Sequence, residues 1–253
     1  MLNLPDHLYR EVLEEPEDLD ARYRCAEWLE ARGDPYGTYI RLTVDSFLHE
    51  DDQSSEDYRT WRRLEDKYTA KWLAAVRGLA DKAELSRGFV ERVDLPARRF
   101  LDRAEELFAR APIRHLAVEH AEDCAAELFR SPHLLRMRSL AVGLHLRDAH
   151  VEMLVESPHL ANVQMLIVDG RSLTERSIEL IATTDNLPKL RSLLLADFTD
   201  KYREQQIYSD WTDPTGGVWE PPKYARQLEE RYGYLPWLHE RELNGDFLSW
   251  LDL

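Results

Sequence analysis

The side chains that could do chemistry are scattered along this chain rather than grouped. His120 and Cys124 are four residues apart in a segment predicted to be helical, and such a pair would supply two zinc ligands. No second pair with ligand spacing accompanies them, so the sequence predicts no metal site and no cofactor. The glycine pair of "DPTGGVWEPP" (213–222) and the stretch "GDPYG" (33–37) both lack the lysine of a phosphate-binding loop. No motif indicates catalysis, and we expect a protein that is not an enzyme.

The acidic character of the chain is concentrated at its two ends. The formal net charge is −15, and residues 1–60 carry 16 acidic and 6 basic side chains. Residues 61–198 carry 21 of each, whereas residues 199–253 carry 11 acidic and 6 basic ones. A negative surface repels nucleic-acid phosphates and anionic lipids, so we expect neither nucleic acid nor a membrane as a partner. It favours a basic protein partner, or serves solubility alone.

Composition and the N-terminal sequence indicate a cytoplasmic protein. No apolar run approaches the roughly 18 residues of a membrane span, and the start of the chain has neither the basic nor the apolar region of a signal peptide. The two cysteines, Cys25 and Cys124, do not make a disulfide framework and suit a reducing compartment. Both are predicted to be buried in helices as small apolar residues.

Residues 1–86 are predicted to form a helical block. Pro16 is placed at the first position of the second helix, where its missing N–H costs nothing. Gly33 is predicted to end that helix in the left-handed conformation, and Asp34 to cap the third helix. A further helix is predicted from about residue 58 to 76. The punctuated stretch around Gly33 is therefore interpreted as a corner between two helices.

From residue 87 to 198 a strand–helix pattern repeats every 23 to 27 residues. Each repeat has a strand of the form apolar-x-x-apolar-x-apolar and a helical stretch after it. The predicted strands are "VERVDL" (90–95), "IRHLAV" (113–118), "MRSLAV" (137–142), "VQMLIV" (163–168) and "LRSLLL" (190–195). One strand and one helix every 20–29 residues is the signature of leucine-rich repeats, whose parallel strands stack into an arc.

The pattern resembles the longer, strand–helix leucine-rich repeats of the ribonuclease-inhibitor class. That class has Asn or Cys three positions after the last apolar strand residue, where it forms a ladder of side-chain hydrogen bonds. This chain has Ala121, His145, Arg171 and Phe198 at those positions. We therefore expect the ladder to be missing or replaced.

A second resemblance concerns "DARYRCAEWLEARGDPYGTYIRL" (20–42), which is similar to the bacterial repeat-companion domain. The matching residues are Ala26, Trp28, Leu29, Glu30, Gly33, Asp34, Pro35, Gly37, Ile40, Arg41 and Leu42. Glu27 and Thr38 stand where that family usually has Asp and Glu. The resemblance covers about residues 4–118 and, more loosely, the repeats to 198. It implies a helical block ahead of leucine-rich-like repeats and no established enzymatic activity.

We therefore predict an α/β protein in three parts. Residues 1–86 form the helical block, residues 87–198 a leucine-rich-repeat-like arc of about five strand–helix units, and residues 199–253 a C-terminal cap or interaction segment. The last part holds 10 of the 25 aromatic residues. A solenoid needs a terminal cap over its last apolar unit, whereas Trp and Tyr also anchor protein interfaces, so both roles stay open.

The strand residues between the core positions of such an arc face its concave side. This face begins charged and becomes apolar toward its C-terminal half, and an open apolar surface marks a binding site unless the tail of the chain covers it. The predicted partner-binding residues are Arg92, Asp94, His115, Glu119, Met165, Ile167, Asp169 and Leu194 on the strands, with Trp211 and Trp219 in the tail.

The sequence favours a non-catalytic protein-interaction module that binds another, basic protein through the concave strand face and the aromatic tail. A narrower alternative is an immunity or antitoxin protein that neutralises a basic toxin by charge complementarity. Two further alternatives are an enzyme whose site lies between the cap and the arc, and a scaffold without a dedicated ligand.

Overall fold

The computed structural model of the protein describes residues 4–48, 55–143, 145–169, 172–196 and 223–238. Within these ranges the chain is a mixed α/β protein with nine α-helices and a six-stranded, mostly parallel β-sheet. None of the helices in the described ranges has the length and apolar character needed to cross a membrane.

The described residues divide into two compact units. The first contains the residues up to Leu95 together with Asp102–Leu116, and the second contains Pro96–Leu101 and the described residues from Ala117 onward. The first unit therefore extends beyond residue 86, the boundary predicted for the helical block. Its first two strands and most of the following helix belong with the N-terminal helices.

Four helices begin the first unit: α1 (Asp6–Glu14), α2 (Leu19–Glu30), α3 (Pro35–Leu48) and α4 (Glu56–Trp72). The side chain of Asp18 caps α2 by accepting a hydrogen bond from the backbone N–H of Asp20 (2.9 Å). Pro16 thus lies in the turn before α2, and its predicted place as the first helical residue is wrong. The helix begins only where an aspartate can accept from the free N–H groups.

The corner between α2 and α3 is confirmed. Gly33 has a φ of +68°, and Asp34 accepts from the backbone N–H of Tyr36 (3.0 Å). Gly37 lets the two helices touch at their backbones, because a Cβ atom there would lie 2.5 Å from the carbonyl oxygen of Ala26. The family-like spacing of glycines in this stretch therefore serves a turn and a close helix contact.

Aromatic rings fill the core of the helical part. The ring of Trp72 stacks on Tyr36 and Tyr39, with centroid distances of 4.6 and 4.4 Å. Trp28 is half-buried against this core, and the guanidinium of Arg32 covers its ring at 3.6 Å. Burial of large rings is the main source of stability here, since each removes a large apolar area from water.

The sheet contains β1 (Lys82–Ser86), β2 (Phe89–Pro96), β3 (His115–Glu119), β4 (Ser139–Val142), β5 (Met165–Asp169) and β6 (Ser192–Ala196), which lie in sequence order. All five predicted strands are confirmed, as β2 to β6. The first strand was not predicted, and it pairs antiparallel with β2. The last three strands are parallel and aligned in register: Ser139 pairs with Met165, and Met165 pairs with Ser192.

The strands alternate with α5 (Ala97–Arg110), α6 (Ala125–Phe129), α7 (Asp148–Val155) and α8 (Glu175–Thr183). Helix α9 (Lys223–Tyr232) contacts α8, and the short 3₁₀ turn Pro236–Leu238 contacts β6. Trp237 and Leu238 of that turn are buried. The remaining residues of the predicted aromatic tail lie almost entirely outside the described ranges.

Side-chain hydrogen bonds join successive strand–helix repeats near the ends of the helices. The Ser157 hydroxyl donates to the Phe129 carbonyl, and the Asn162 amide donates to the Leu135 carbonyl (2.8 Å). One repeat further on, the Thr184 hydroxyl donates to the Val155 carbonyl (2.8 Å). Each bond spans 27 to 29 residues. Polar side chains after the helices thus satisfy backbone groups of the preceding repeat, a role that leucine-rich repeats give to Asn after the strand.

Candidate functional site

The turn between β1 and β2 lies against the N-terminal helices. Arg87 and Gly88 both have positive φ angles, +47° and +84°, as a two-residue type I′ hairpin turn requires. The Tyr36 hydroxyl donates to the Gly88 carbonyl, and the Arg22 guanidinium donates to the Arg87 carbonyl (2.7 Å). A Cβ atom on Gly88 would lie 2.7 Å from the Ile40 side chain, so the turn is packed as closely as its backbone permits. Residues of α2 and α3 therefore fix the register of this hairpin.

A cluster of charged side chains is buried beside this turn. Glu91 forms ion pairs of 2.6 Å with both Arg22 and Arg87, and Arg22 and Glu91 are fully shielded from solvent. Glu17 extends the cluster, because it pairs with Arg87 at 2.9 Å and with Arg114 at 2.5 Å. We call Arg22, Arg87, Glu91, Glu17 and Arg114 the charge cluster.

The charge cluster contains three guanidinium groups and two carboxylates. Burial lowers the pKa of Arg22 more than Glu91 raises it, so its pKa lies below the ordinary value. Burial also acts to lower the pKa of Arg87, but the carboxylates of Glu91 and Glu17 outweigh it and the pKa is raised. Breaking such a buried pair leaves an uncompensated charge, so each partner depends on the others.

One of the predicted site residues, His115, lies near this cluster. His115 is mostly buried, with its Nε2 4.0 Å from a Glu91 carboxylate oxygen. Burial lowers the pKa of His115 to about 4, with Arg87 and Arg114 adding to the effect against the opposing pull of Glu91. Arg92 is also buried.

On β2 and its neighbour, Arg92 pairs with Asp94 at 3.2 Å and with Glu84 of β1 at 3.3 Å. Asp94 is half-buried and engaged in this pair. Glu119, at the end of β3, is exposed. Of the predicted charged residues on these strands, Glu119 therefore presents the most open side chain.

The apolar residues predicted to lie open on the concave strand face are largely buried. The open apolar surface is not found at Met165 and Ile167, whose side chains are 6% and 8% exposed. Both lie on an inner strand, between β4 and β6. Leu194 is half-buried. Asp169 ends β5, with its side chain outside the described part, and Trp211 and Trp219 also lie outside the described residues.

The histidine and the cysteines that the sequence analysis considered for chemistry occupy a turn and buried positions. His120 follows β3 with a φ of +54° and is not helical, so its predicted helical pairing with Cys124 is wrong. A left-handed turn at His120 changes the direction of the chain before α6 begins. Cys25 and Cys124 are both free thiols and both buried, as predicted, but only Cys25 lies in a helix: Cys124 is in the turn just before α6, so its predicted helical position is wrong. Burial raises the pKa of Cys25 to about 12, which keeps it a protonated, weakly reactive thiol.

The charge cluster was not predicted, although the sequence contains a signal for it. Arg22 shares a helical face with Cys25 and Leu29, and an arginine on a buried face requires a partner. Glu91 alternates with Phe89 and Val93 on the inward side of β2, which gives the same indication. Arg22 and Glu91 are 69 positions apart in the sequence, so only the folded structure shows that they pair.

Comparisons of the chain with models of known protein families, with curated proteins and with solved structures found no match. The class that the structure itself defines is a mixed α/β protein with a mostly parallel sheet whose strands follow sequence order. Its membership of the repeat-companion family stays a prediction.

Proposed function

We propose that this chain is a non-catalytic protein-interaction module that binds a basic protein. The observation that carries the proposal is that many carboxylates on α1 and α2 are exposed and unpaired among the described residues. Five acidic side chains on or beside these helices are exposed and form no ion pair within the part of the chain that the structure describes: Asp6, Glu14, Glu15, Asp20 and Glu27. They make up an acidic surface that a cationic partner would neutralise.

Two of the three arginines on the same helices are engaged in ion pairs, whereas Arg10 of α1 is exposed and forms no ion pair within the described ranges. Arg24 pairs with Glu11 at 2.7 Å and with Asp18 at 3.4 Å, and Arg22 is buried in the charge cluster. Arg32 lies over the Trp28 ring. The five unpaired carboxylates outnumber Arg10 and Arg32, so the local potential is negative and steers a basic protein toward the surface.

The architecture supports the same class of function. We infer that the strand–helix repeats form a leucine-rich-like solenoid, since the strands follow sequence order and side-chain hydrogen bonds link neighbouring repeats. The buried residues Trp237 and Leu238 beside β6 support a capping role for the segment that contains them. The resemblance of residues 20–42 to the repeat-companion domain agrees with this arrangement. Solenoids of this kind offer extended surfaces for binding proteins.

The proposal is tested by affinity capture from the host cell at low salt and at about 0.15 M salt, followed by mass spectrometry. We expect a basic protein that is retained at low salt and released as salt screens the charges. A variant with all five carboxylates changed to amides should bind this protein at least about tenfold more weakly.

The matched control changes five other exposed carboxylates that form no ion pair within the described ranges: Asp102, Glu105, Asp123, Glu156 and Asp185. Both variants lose the same formal charge, so a purely non-specific attraction would weaken equally in the two. Equal binding to the two variants, or a partner whose binding ignores salt, would contradict the proposal.

A further inference from the structure

A cavity of about 180 Å³ lies between the second half of α3 and the start of α4. Its walls contain Asp45 and Ser46 from α3, and Ser55, Asp57, Tyr58 and Trp61 around the start of α4. An apolar cavity of about 150 Å³ is large enough for a benzene molecule, so this one can hold the end of a long side chain. Nothing in the charge cluster or in the acidic surface of α1 and α2 involves these residues.

Two carboxylates give the cavity its electrostatic character. Asp45 accepts a hydrogen bond from the Tyr23 hydroxyl (2.6 Å), which fixes its orientation. Burial, with a further contribution from Asp45, raises the pKa of Tyr23 to about 12, so this hydroxyl remains a donor. Asp57 is exposed in the first turn of α4 and forms no ion pair among the described residues.

Two arginines on the same helices already bind other carboxylates. Arg41, one turn before Asp45, binds Glu30 with its Nη2 at 2.7 Å. Arg62, next to Trp61, binds Glu65 at 2.7 Å, and its guanidinium carbon also lies 5.8 Å from the centre of the Trp61 ring. The negative charge at the cavity is therefore not neutralised by a direct ion pair with either arginine.

Aromatic rings form another part of the wall. Tyr58 and Trp61 pack edge to face, with their ring centroids 5.3 Å apart and their planes at 72°. Aromatic faces attract cations, and a carboxylate beside them adds to that attraction. The indole N–H of Trp61 is also buried and meets no acceptor within the described ranges. Lysine and arginine side chains carry only donors, so a backbone carbonyl of the bound residue, and not its charged head, would have to satisfy this N–H.

We propose that the cavity binds the cationic side chain of a lysine or arginine presented by the basic partner. The inference rests on the proposed function for the identity of the partner, whereas the cavity itself is tested separately. The carboxylates of Asp45 and Asp57 neutralise the charged head, and Tyr58 and Trp61 cover the methylene stem. Leu42, on the same wall, contributes further apolar surface.

The first test uses the full chain, labelled with ¹⁵N, and two small probes: the amides of Nα-acetyl-lysine and Nα-acetyl-arginine. The Trp61 indole resonance is assigned from its loss in Trp61→Phe. We expect this resonance to shift in a saturable manner with at least one probe, and the stronger of the two identifies the preferred side chain. The amide of Nα-acetyl-norleucine, which has the stem without the charge, should leave the resonance unchanged.

The second test compares charge variants. The double variant Asp45→Asn/Asp57→Asn should bind the cationic probe at least about tenfold more weakly. Asp102→Asn/Asp123→Asn removes the same charge at exposed positions outside the cavity and should bind as the wild type does. Asp57→Asn alone, which leaves the Tyr23 hydrogen bond intact, should show a partial loss even if the double variant folds poorly. An unmoved Trp61 resonance, an equal response to norleucine, or equal binding by the two double variants would overturn the proposal.

The two proposals fail in different ways. If a basic protein is captured but binds both double variants equally, the cavity is not its contact and the interaction function stands. If no basic protein is captured while the lysine or arginine probe shifts Trp61, the cavity binds cations and the interaction function is wrong.

Discussion

Arg22 of α2 and Glu91 of β2 form an ion pair of 2.6 Å from which solvent is fully excluded. The pair joins a helix to a strand 69 residues later, and Arg87 shares the same carboxylate. One buried glutamate thus supplies the counter-charge for two guanidinium groups.

We expect Glu91→Gln to lower the free energy of unfolding by about 3–5 kcal/mol, because it leaves Arg22 buried without its counter-charge and Arg87 with Glu17 alone. Urea unfolding followed by circular dichroism measures the effect. Glu11→Gln, which breaks the exposed pair with Arg24, is the matched change and should cost less than about 1 kcal/mol. Similar losses in both variants would show that burial does not govern the strength of the cluster.

Gly37→Ala tests the close contact between α2 and α3, because the contact and helix propensity predict opposite changes in stability. Helix propensity alone predicts that alanine stabilises α3 by about 1 kcal/mol relative to glycine. The new methyl group, however, would lie 2.5 Å from the Ala26 carbonyl oxygen and 2.7 Å from the Glu30 nitrogen. We therefore expect a loss of about 1–3 kcal/mol, as overpacking produces. A rise in the thermal midpoint would show that α2 and α3 do not touch at this position.

His115 should make stability depend on pH. Its pKa is about 4 in the folded chain and about 6.5 when unfolded, so between these values the unfolded state binds a proton that the folded state does not. The free energy of unfolding should therefore fall by up to about 3 kcal/mol as the pH is lowered through this window. His115→Gln should remove this part of the dependence.

The measurement is urea unfolding at several pH values between about 4 and 7. His7→Gln, at an exposed position of α1, is the matched substitution and should keep the wild-type profile. A profile for His115→Gln that follows the wild type would mean that another group titrates in this window.

Ser157→Ala should weaken the link between two strand–helix repeats. The hydroxyl of Ser157 donates to the buried Phe129 carbonyl, and its loss leaves that carbonyl unpaired, at a cost of about 1–3 kcal/mol. Ser172→Ala, at an exposed position, is the control and should change stability by less than about 0.5 kcal/mol. Hydrogen exchange at the backbone amides of α6 and α7 should rise only in the first variant. Unchanged exchange there would contradict a linking role.

Much of the fold was predictable, because the spacing of apolar residues in strands and helices can be read directly from the sequence. Strands β2 to β6 follow from a repeated apolar pattern, and the corner at Gly33 follows from glycine, aspartate and proline in order. Strand β1 was missed, although "KAELS" (82–86) alternates polar and apolar residues, because the stretch is short and has only two apolar side chains. Its presence depends on the Arg87–Gly88 turn, a weaker hairpin signal than Asn-Gly or Asp-Gly.

The candidate sites were less predictable, for physical reasons. Alternation along β5 shows that Met165 and Ile167 share a face, but how far neighbouring chain shields that face is a property of the assembled sheet. The cavity at Trp61 brings together residues of two helices, and no local pattern encodes their spacing. Charge composition indicated an acidic surface, whereas the pairing of individual arginines decided which carboxylates remain exposed.

The turn at Arg87 limits how freely this protein can be recombined. An arginine with positive φ is tolerated there because its guanidinium is bound by Glu91 and Glu17, while Arg22 and Tyr36 bind the carbonyls of the turn. A different helical block joined to the same repeats would have to supply an arginine, a tyrosine and a glutamate at matching points in space. Exchange of modules in evolution, or in protein engineering, should therefore succeed only when the crossover lies after β2 rather than before it.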